Sequence, residues 1–155
     1  MEITLGEKNR MKIKIKKLTD TAKLPTRGSA SAAGYDLYAD IAEAVHIAPG
    51  ETKMISTGLS MELPEGYFGA IFARSGLAMK EGLRPGNCVG VVDSDYRGPF
   101  MIGLHNDSDK IRTVEPLERI AQMVVIPYLP VEFEPVDELS DTERGEGGFG
   151  STGKQ

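Results

Sequence analysis

The stretch Asn87-Cys88-Val89-Gly90-Val91-Val92-Asp93-Ser94-Asp95-Tyr96-Arg97-Gly98-Pro99 decides how this chain is read. The apolar run Cys88 to Val92 predicts a buried strand, and Phe100-Met101-Ile102 predicts a second one after the interruption. Between them, Asp93-Ser94-Asp95 supplies two carboxylates and a hydroxyl. Strand, polar turn and returning strand together predict a hairpin with a loop longer than the tight two-residue type. Asp and Ser suit turns because their side chains bond nearby backbone groups, so an ordinary turn is the plain reading. Tyr96, Arg97 and Gly98 directly after the carboxylates add a chemical variety that a turn does not need.

Outward from this stretch, short apolar or alternating runs repeat with Gly, Pro or Asp between them. They span Asp36–Ala39, Ala44–Ala48, Lys53–Ser56, Leu59–Leu63, Tyr67–Ala73, Cys88–Val92, Phe100–His105, Ile120–Tyr128 and Val131–Phe133. Lys12-Ile13-Lys14-Ile15-Lys16 alternates strictly, which predicts an edge strand with one wet, lysine-blunted face. No long window keeps a 3.6-residue period, and Gly76–Lys80 suits at most one turn of helix. Many short strands with frequent turn signals predict an all-β, single-domain sandwich or barrel.

At 155 residues the chain suits one domain. We divide it into an unassigned extension over residues 1–10, a β domain over 11–136, and a Gly-rich C-terminal arm over 137–155. The arm is polar, and its composition in isolation predicts a flexible tail that can still order around a ligand. A net charge of −5 argues against sequence-independent nucleic-acid binding, which needs a basic face. No apolar run reaches the ~20 residues of a membrane span, and no signal-peptide core opens the chain. A cytoplasmic protein is expected, or a nuclear one in a eukaryote. Cys88 lacks a second cysteine to pair with and reads as a small buried hydrophobe. His46 and His105 have no cysteine partners at zinc spacing.

Four further segments carry chemistry. Arg144-Gly145-Glu146-Gly147-Gly148-Phe149-Gly150-Ser151-Thr152-Gly153 is the most specific. Its glycines let backbone N–H groups approach phosphate oxygens, with Arg144, Ser151 and Thr152 as further donors. Phe149 can lay its ring on a base. A Walker A reading of Gly148 to Lys154 fails because Gln155 replaces the Ser/Thr. Arg74-Ser75-Gly76 offers a charge partner and two phosphate donors, or a plain strand end. Ala33-Gly34-Tyr35-Asp36 opens a strand with a carboxylate. In Arg119-Ile120-Ala121-Gln122, the Gln sits amid apolar residues and is either a satisfied core amide or a ligand contact.

Gly90 to Gly98 resembles the third of five motifs of the homotrimeric dUTPases (dUTP pyrophosphatases). Ala33–Ala39 resembles the first motif, Ala73–Ala78 the second, Arg119–Val124 the fourth and Arg144–Gly153 the fifth. Ala73 stands where Pro is common, and Leu117-Glu118 where Gly-Asp often precedes the Arg, which leaves the pairing of Arg119 open. The resemblance implies a jelly-roll-like fold, a homotrimer with shared active sites, Mg2+ as cofactor and dUTP as substrate. It implies hydrolysis to dUMP and pyrophosphate, limiting uracil in DNA and supplying dUMP for thymidylate synthesis.

By the same resemblance, Asp93 is the general base for a water attacking the α-phosphorus. Asn87, Gly90 and Val92 meet the uracil edge, and Tyr96 packs on the deoxyribose. Arg74, Ser75, Gly76 and Gln122 meet the phosphates, and Asp36 stands near metal-bound water. Phe149 stacks on uracil, while Arg144, Gly150, Ser151 and Thr152 close over the triphosphate. A dCTP deaminase of similar fold is the nearest alternative, but it would carry a Glu at Gly103, three residues before Asn106. A silent dUTP-binding regulator is the other.

Overall fold

A computed structural model describes residues 11–148 of the chain. Its one helix is short, and every strand pair is antiparallel. The chain runs through β1 (Lys14–Lys17), β2 (Tyr35–Tyr38), β3 (Val45–Ile47), β4 (Thr52–Ser56), β5 (Leu59–Glu62) and β6 (Tyr67–Phe72). The helix α1 (Ser75–Glu81) follows, then β7 (Leu83–Pro85), β8 (Gly90–Val92), β9 (Met101–Asn106), β10 (Arg112–Val114) and β11 (Arg119–Pro127). This is the all-β, jelly-roll-like fold that the sequence predicts.

Two sheets frame the site. One has the strand order β2-β11-β6-β8 and the other β4-β9-β7, while β1-β5 and β10-β3 form two-stranded ribbons. Alternation drives the packing. On β9, Ile102, Leu104 and Asn106 are buried, while Met101, Gly103 and His105 face outward. Leu37, Ile47, Ile55, Leu59, Leu83, Leu104 and Ile120 form the centre of one continuous core. Asn106, fully buried, is satisfied there by the carbonyls of Ile47 and Lys110. The helix extends the expected turn by one residue at each end, and stops where Gly82 takes φ 70°.

Four expectations need correction. The predicted hairpin arms do not pair with each other: β8 bonds to β6, whereas β9 bonds to β4 and β7. The loop between them therefore crosses from one sheet to the other. The strand starts at Gly90 rather than Cys88 and is only partly buried, because it is an edge strand of its sheet. Cys88 is exposed, not buried, because it lies in the connection between β7 and β8. Val131–Phe133 forms no strand; Val131 is 69% and Phe133 88% exposed. The expected extension 1–10 lies outside the described residues.

Candidate active site

A bulge assembles the first half of the site. In a regular strand, residues three apart face opposite ways. In β11 the register against β2 shifts between Arg119 and Ala121, so Ile120 is an extra residue. Arg119 and Gln122 thereby reach the same face. Gln122 stands opposite Asp36, and Arg119 opposite Tyr38, two residues further along β2.

Side chains converge on this face. Arg74, just beyond β6, donates from Nε to Asp36 Oδ1 at 2.8 Å, and Arg119 donates from Nη1 to Oδ2 at 3.3 Å. Arg74 Nη1 also donates to the Arg119 carbonyl at 3.3 Å. The Gln122 amide donates from Nε2 to the Ala73 carbonyl at 2.8 Å, so it is satisfied while still facing the cleft. Asp36 is nearly buried, with 14% of its side chain exposed, and it compensates two guanidinium groups at once. One net positive charge is left over, and each arginine keeps further N–H donors for an anion. Gly34, Ser75 and Gly76 line the same cleft, whose volume is about 490 Å³.

The approach to Arg119 answers the question left open by Leu117-Glu118. Leu117 adopts φ 61°, a left-handed backbone that a glycine would reach more cheaply. Its N–H bonds to the Ala39 carbonyl at 2.8 Å, and Ala39 N–H returns to the Glu118 carbonyl at 2.8 Å. Glu118 turns back to accept from the Glu115 N–H. The ion pair of Arg119 is with Asp36 on β2.

The second half is a cleft of about 550 Å³ between the divergent β8 and β9. Asn87, Gly90, Val92, Asp93 and Tyr96 all line it, together with Met54, Met101 and Gly103. Gly90 has to be small, since a Cβ there would stand 3.0 Å from Ile71 Cβ. The loop holds its own shape. Tyr96 N–H bonds to the Asp93 carbonyl at 3.2 Å, its phenol donates to the Pro99 carbonyl at 3.0 Å, and its ring lies over Gly98. Arg97 caps the Ser94 carbonyl, and Ser60 donates to the Arg97 carbonyl. Among the described residues, the Asp93 carboxylate makes no hydrogen bond or ion pair, and it stands exposed at the cleft mouth.

The two clefts share no lining residue. Within one chain the structure therefore groups Asp36, Arg74, Ser75, Gly76 and Gln122 apart from Asn87, Gly90, Val92, Asp93 and Tyr96. Arg144 lies in an exposed turn, donating to the Gly147 carbonyl at 2.7 Å. Phe149, Gly150, Ser151 and Thr152 lie outside the described residues. Arg119 and Gly34 belong to the site as well. Their motifs stood in the sequence, but their roles depend on the bulge and on a cross-strand contact that spacing does not display.

Comparison with known proteins fits this arrangement. The dUTPase family model matches residues 20–153. The deoxyuridine 5'-triphosphate nucleotidohydrolase of Nautilia profundicola is 50% identical over 144 residues, covering 93% of this chain and 100% of that one. That of Sodalis glossinidius is 44% identical over 146 residues, covering 94% and 97%. Among solved structures, the Staphylococcus bacteriophage 80alpha dUTPase with dUPNHPP superposes with TM-score 0.80 at 31% identity, covering 92% of this chain and 99% of that one. With a fold, two clefts and relatives of this kind, the chain belongs to the dUTPase family.

Proposed function

We propose that this chain is a dUTP diphosphatase, hydrolysing dUTP to dUMP and pyrophosphate. The observation that carries the mechanism is the exposed Asp93 carboxylate, without a hydrogen-bond or ion-pair partner among the described residues, at the mouth of the cleft lined by Asn87, Gly90, Val92 and Tyr96. Uracil presents an N3–H donor between two carbonyl acceptors, and cytosine reverses that order at N3 and C4. Backbone groups of Gly90 and Val92, with the Asn87 amide, can complement the first pattern and leave buried groups unpaired with the second. Tyr96 over the sugar leaves no room for a 2′-hydroxyl. Asp93 then orients and deprotonates the water that attacks the α-phosphorus, and pyrophosphate leaves. Arg74, Gln122 and the backbone at Ser75 and Gly76 meet the growing negative charge on the phosphate oxygens.

Mg2+ is the cofactor that the family implies. It takes phosphate oxygens and keeps several waters, so it asks for few direct protein ligands. The donor set fits that demand: Asp36, held between two arginines, can accept from a metal-bound water without giving up its ion pairs. When bound, Mg2+ would offset charge on the triphosphate.

The assembly we propose is the homotrimer that the family implies, and the division of the site supports it. Base cleft and arginine cleft share no residue, so a neighbouring copy is expected to supply the phosphate contacts to each base cleft, and a third the Gly-rich arm. Leu129, Val131 and Phe133 are 69–88% exposed, apolar side chains that the described residues leave uncovered. Among the described residues no helix is long and apolar enough to cross a membrane, and a cytoplasmic location is the reading we favour.

A deaminase reading is disfavoured at Gly103. Position 103 is a glycine and offers no carboxylate for the acid–base chemistry of deamination. The deciding experiment incubates the protein with dUTP, dCTP and UTP in Mg2+ and resolves nucleotides, pyrophosphate and ammonia. dUMP with pyrophosphate from dUTP alone is the expected result. Ammonia from dCTP would establish the deaminase, and tight dUTP binding without product the regulator.

A further inference from the structure

One wall of the base cleft is the outward face of the β4-β9-β7 sheet, with Thr52 and Met54 from β4 and Met101 and Gly103 from β9, while Pro85, buried at the end of β7, borders the same cleft. The β7 side of this wall is a short ladder. The strand has three residues, and beyond it the Gly86 N–H donates to the Gly103 carbonyl of β9 at 2.7 Å. The chain then runs from Gly86 into Asn87, at the edge of the cleft.

Side chains add to this ladder. Arg84 forks onto Asp107, with Nε to Oδ2 and Nη2 to Oδ1 at 3.1 Å. Its third nitrogen, Nη1, donates to the Pro85 carbonyl at 3.1 Å. Asp107 Oδ1 also stands 3.3 Å from His105 Nε2, and His105 Nδ1 stands 2.8 Å from Thr52 Oγ1. Four polar side chains thus run in a row across three strands, from Thr52 to Arg84, and the row ends on the Pro85 carbonyl. Thr52 and Pro85, at its two ends, are cleft-lining residues. The Arg84 guanidinium, chiefly through its hydrogen bonds, holds the Asp107 carboxyl below the usual carboxylate range.

Arg84 and Asp107 are about 40% exposed, and ion pairs so placed contribute little to global stability. Bidentate geometry instead fixes direction. We infer that Asp107, acting through Arg84, is a positioning residue for the nucleoside end of the substrate. It holds the Pro85–Asn87 segment at the separation from β8 that the base requires. The inference deepens the proposed function and rests on it.

The test compares Asp107→Ala and Arg84→Met with the parent protein, using Asp107→Glu as the conservative variant. In both disruptive variants KM for dUTP should rise about 3- to 10-fold, with kcat within about 2-fold and Tm within about 2 °C. dUMP affinity should fall by the same factor, inhibition by pyrophosphate should not change, and Asp107→Glu should recover at least half of the KM effect. Unchanged KM and dUMP affinity would overturn the inference. So would a fall in kcat that tracks a fall in Tm, which marks a merely structural pair. Failure of the parent to turn over dUTP would sink the proposed function instead, and dUMP affinity in the same variants would still decide this one.

Discussion

The side-chain carbonyl oxygen of Gln122 occupies the space that a β-carbon on Gly34 would need, well inside 3.0 Å. Gly34 is therefore a glycine for reasons of room, since it marks where β2 lets the amide of β11 lie flat in the arginine cleft. Gly34→Ala should expel Gln122 from its bond to the Ala73 carbonyl. We expect kcat/KM for dUTP to fall about 10-fold or more, with about 1–3 kcal/mol of lost stability. Steady-state kinetics beside a urea melt would check both figures, and near-parental kinetics would mean that Gln122 does not meet the substrate.

Asp93 is exposed and its carboxylate has no partner among the described residues, so replacing it disturbs nothing there that holds the fold. Asp93→Asn should keep nucleotide binding in the micromolar range and cut kcat by about 10^2-fold or more. Calorimetric binding of a non-hydrolysable dUTP analogue separates the two effects. An unchanged kcat would remove Asp93 as the general base.

Leu117 carries backbone strain at φ 61°, and its side chain is only half-buried. Leu117→Gly removes about 1–2 kcal/mol of left-handed cost and adds about 0.5–1 kcal/mol of chain entropy. A net gain of up to about 1 kcal/mol should raise Tm by a few degrees, with activity unaltered. Differential scanning calorimetry decides the sign.

Among the described residues, no hydrogen bond joins 129–148 to residues 11–128, and Arg144 closes only its own turn. A chain shortened before Arg144 should melt within about 2 °C of the parent and lose most of its activity. A large fall in Tm would mean that the arm is part of the packed core.

Much of the fold was legible because a strand writes its period into the sequence. Lys14, Ile15 and Lys16 alternate as they sit, and β4, β5, β6, β9 and β11 fall within a residue of the expected runs. The strands β7 and β10 were not legible: each has three residues, and β7 ends on a proline. The pattern at Val131–Phe133 is strand-like, but a strand also needs a partner to bond to, and among the described residues the segment pairs with none. Cys88 misled because its apolar neighbours belong to a connection, not to a core. The site was half legible. Asp93, Tyr96 and Asn87 lie close together in sequence and share a cleft. Arg119 and Gln122 reach one face only through Ile120, and a bulge leaves no mark on residue spacing.

The divergence of β8 and β9 has a consequence for motion. Each strand is rooted in a different sheet, so thermal breathing of the seam between them meets no ladder hydrogen bonds linking one to the other. A nucleoside lodged there touches both roots at once and works as a removable rivet. Its binding free energy, RT ln(1 + [L]/Kd), would be felt as slower amide hydrogen exchange in β6, β8 and β9 together. The ribbon β1-β5, which contributes no residue to the cleft lining, would exchange as before.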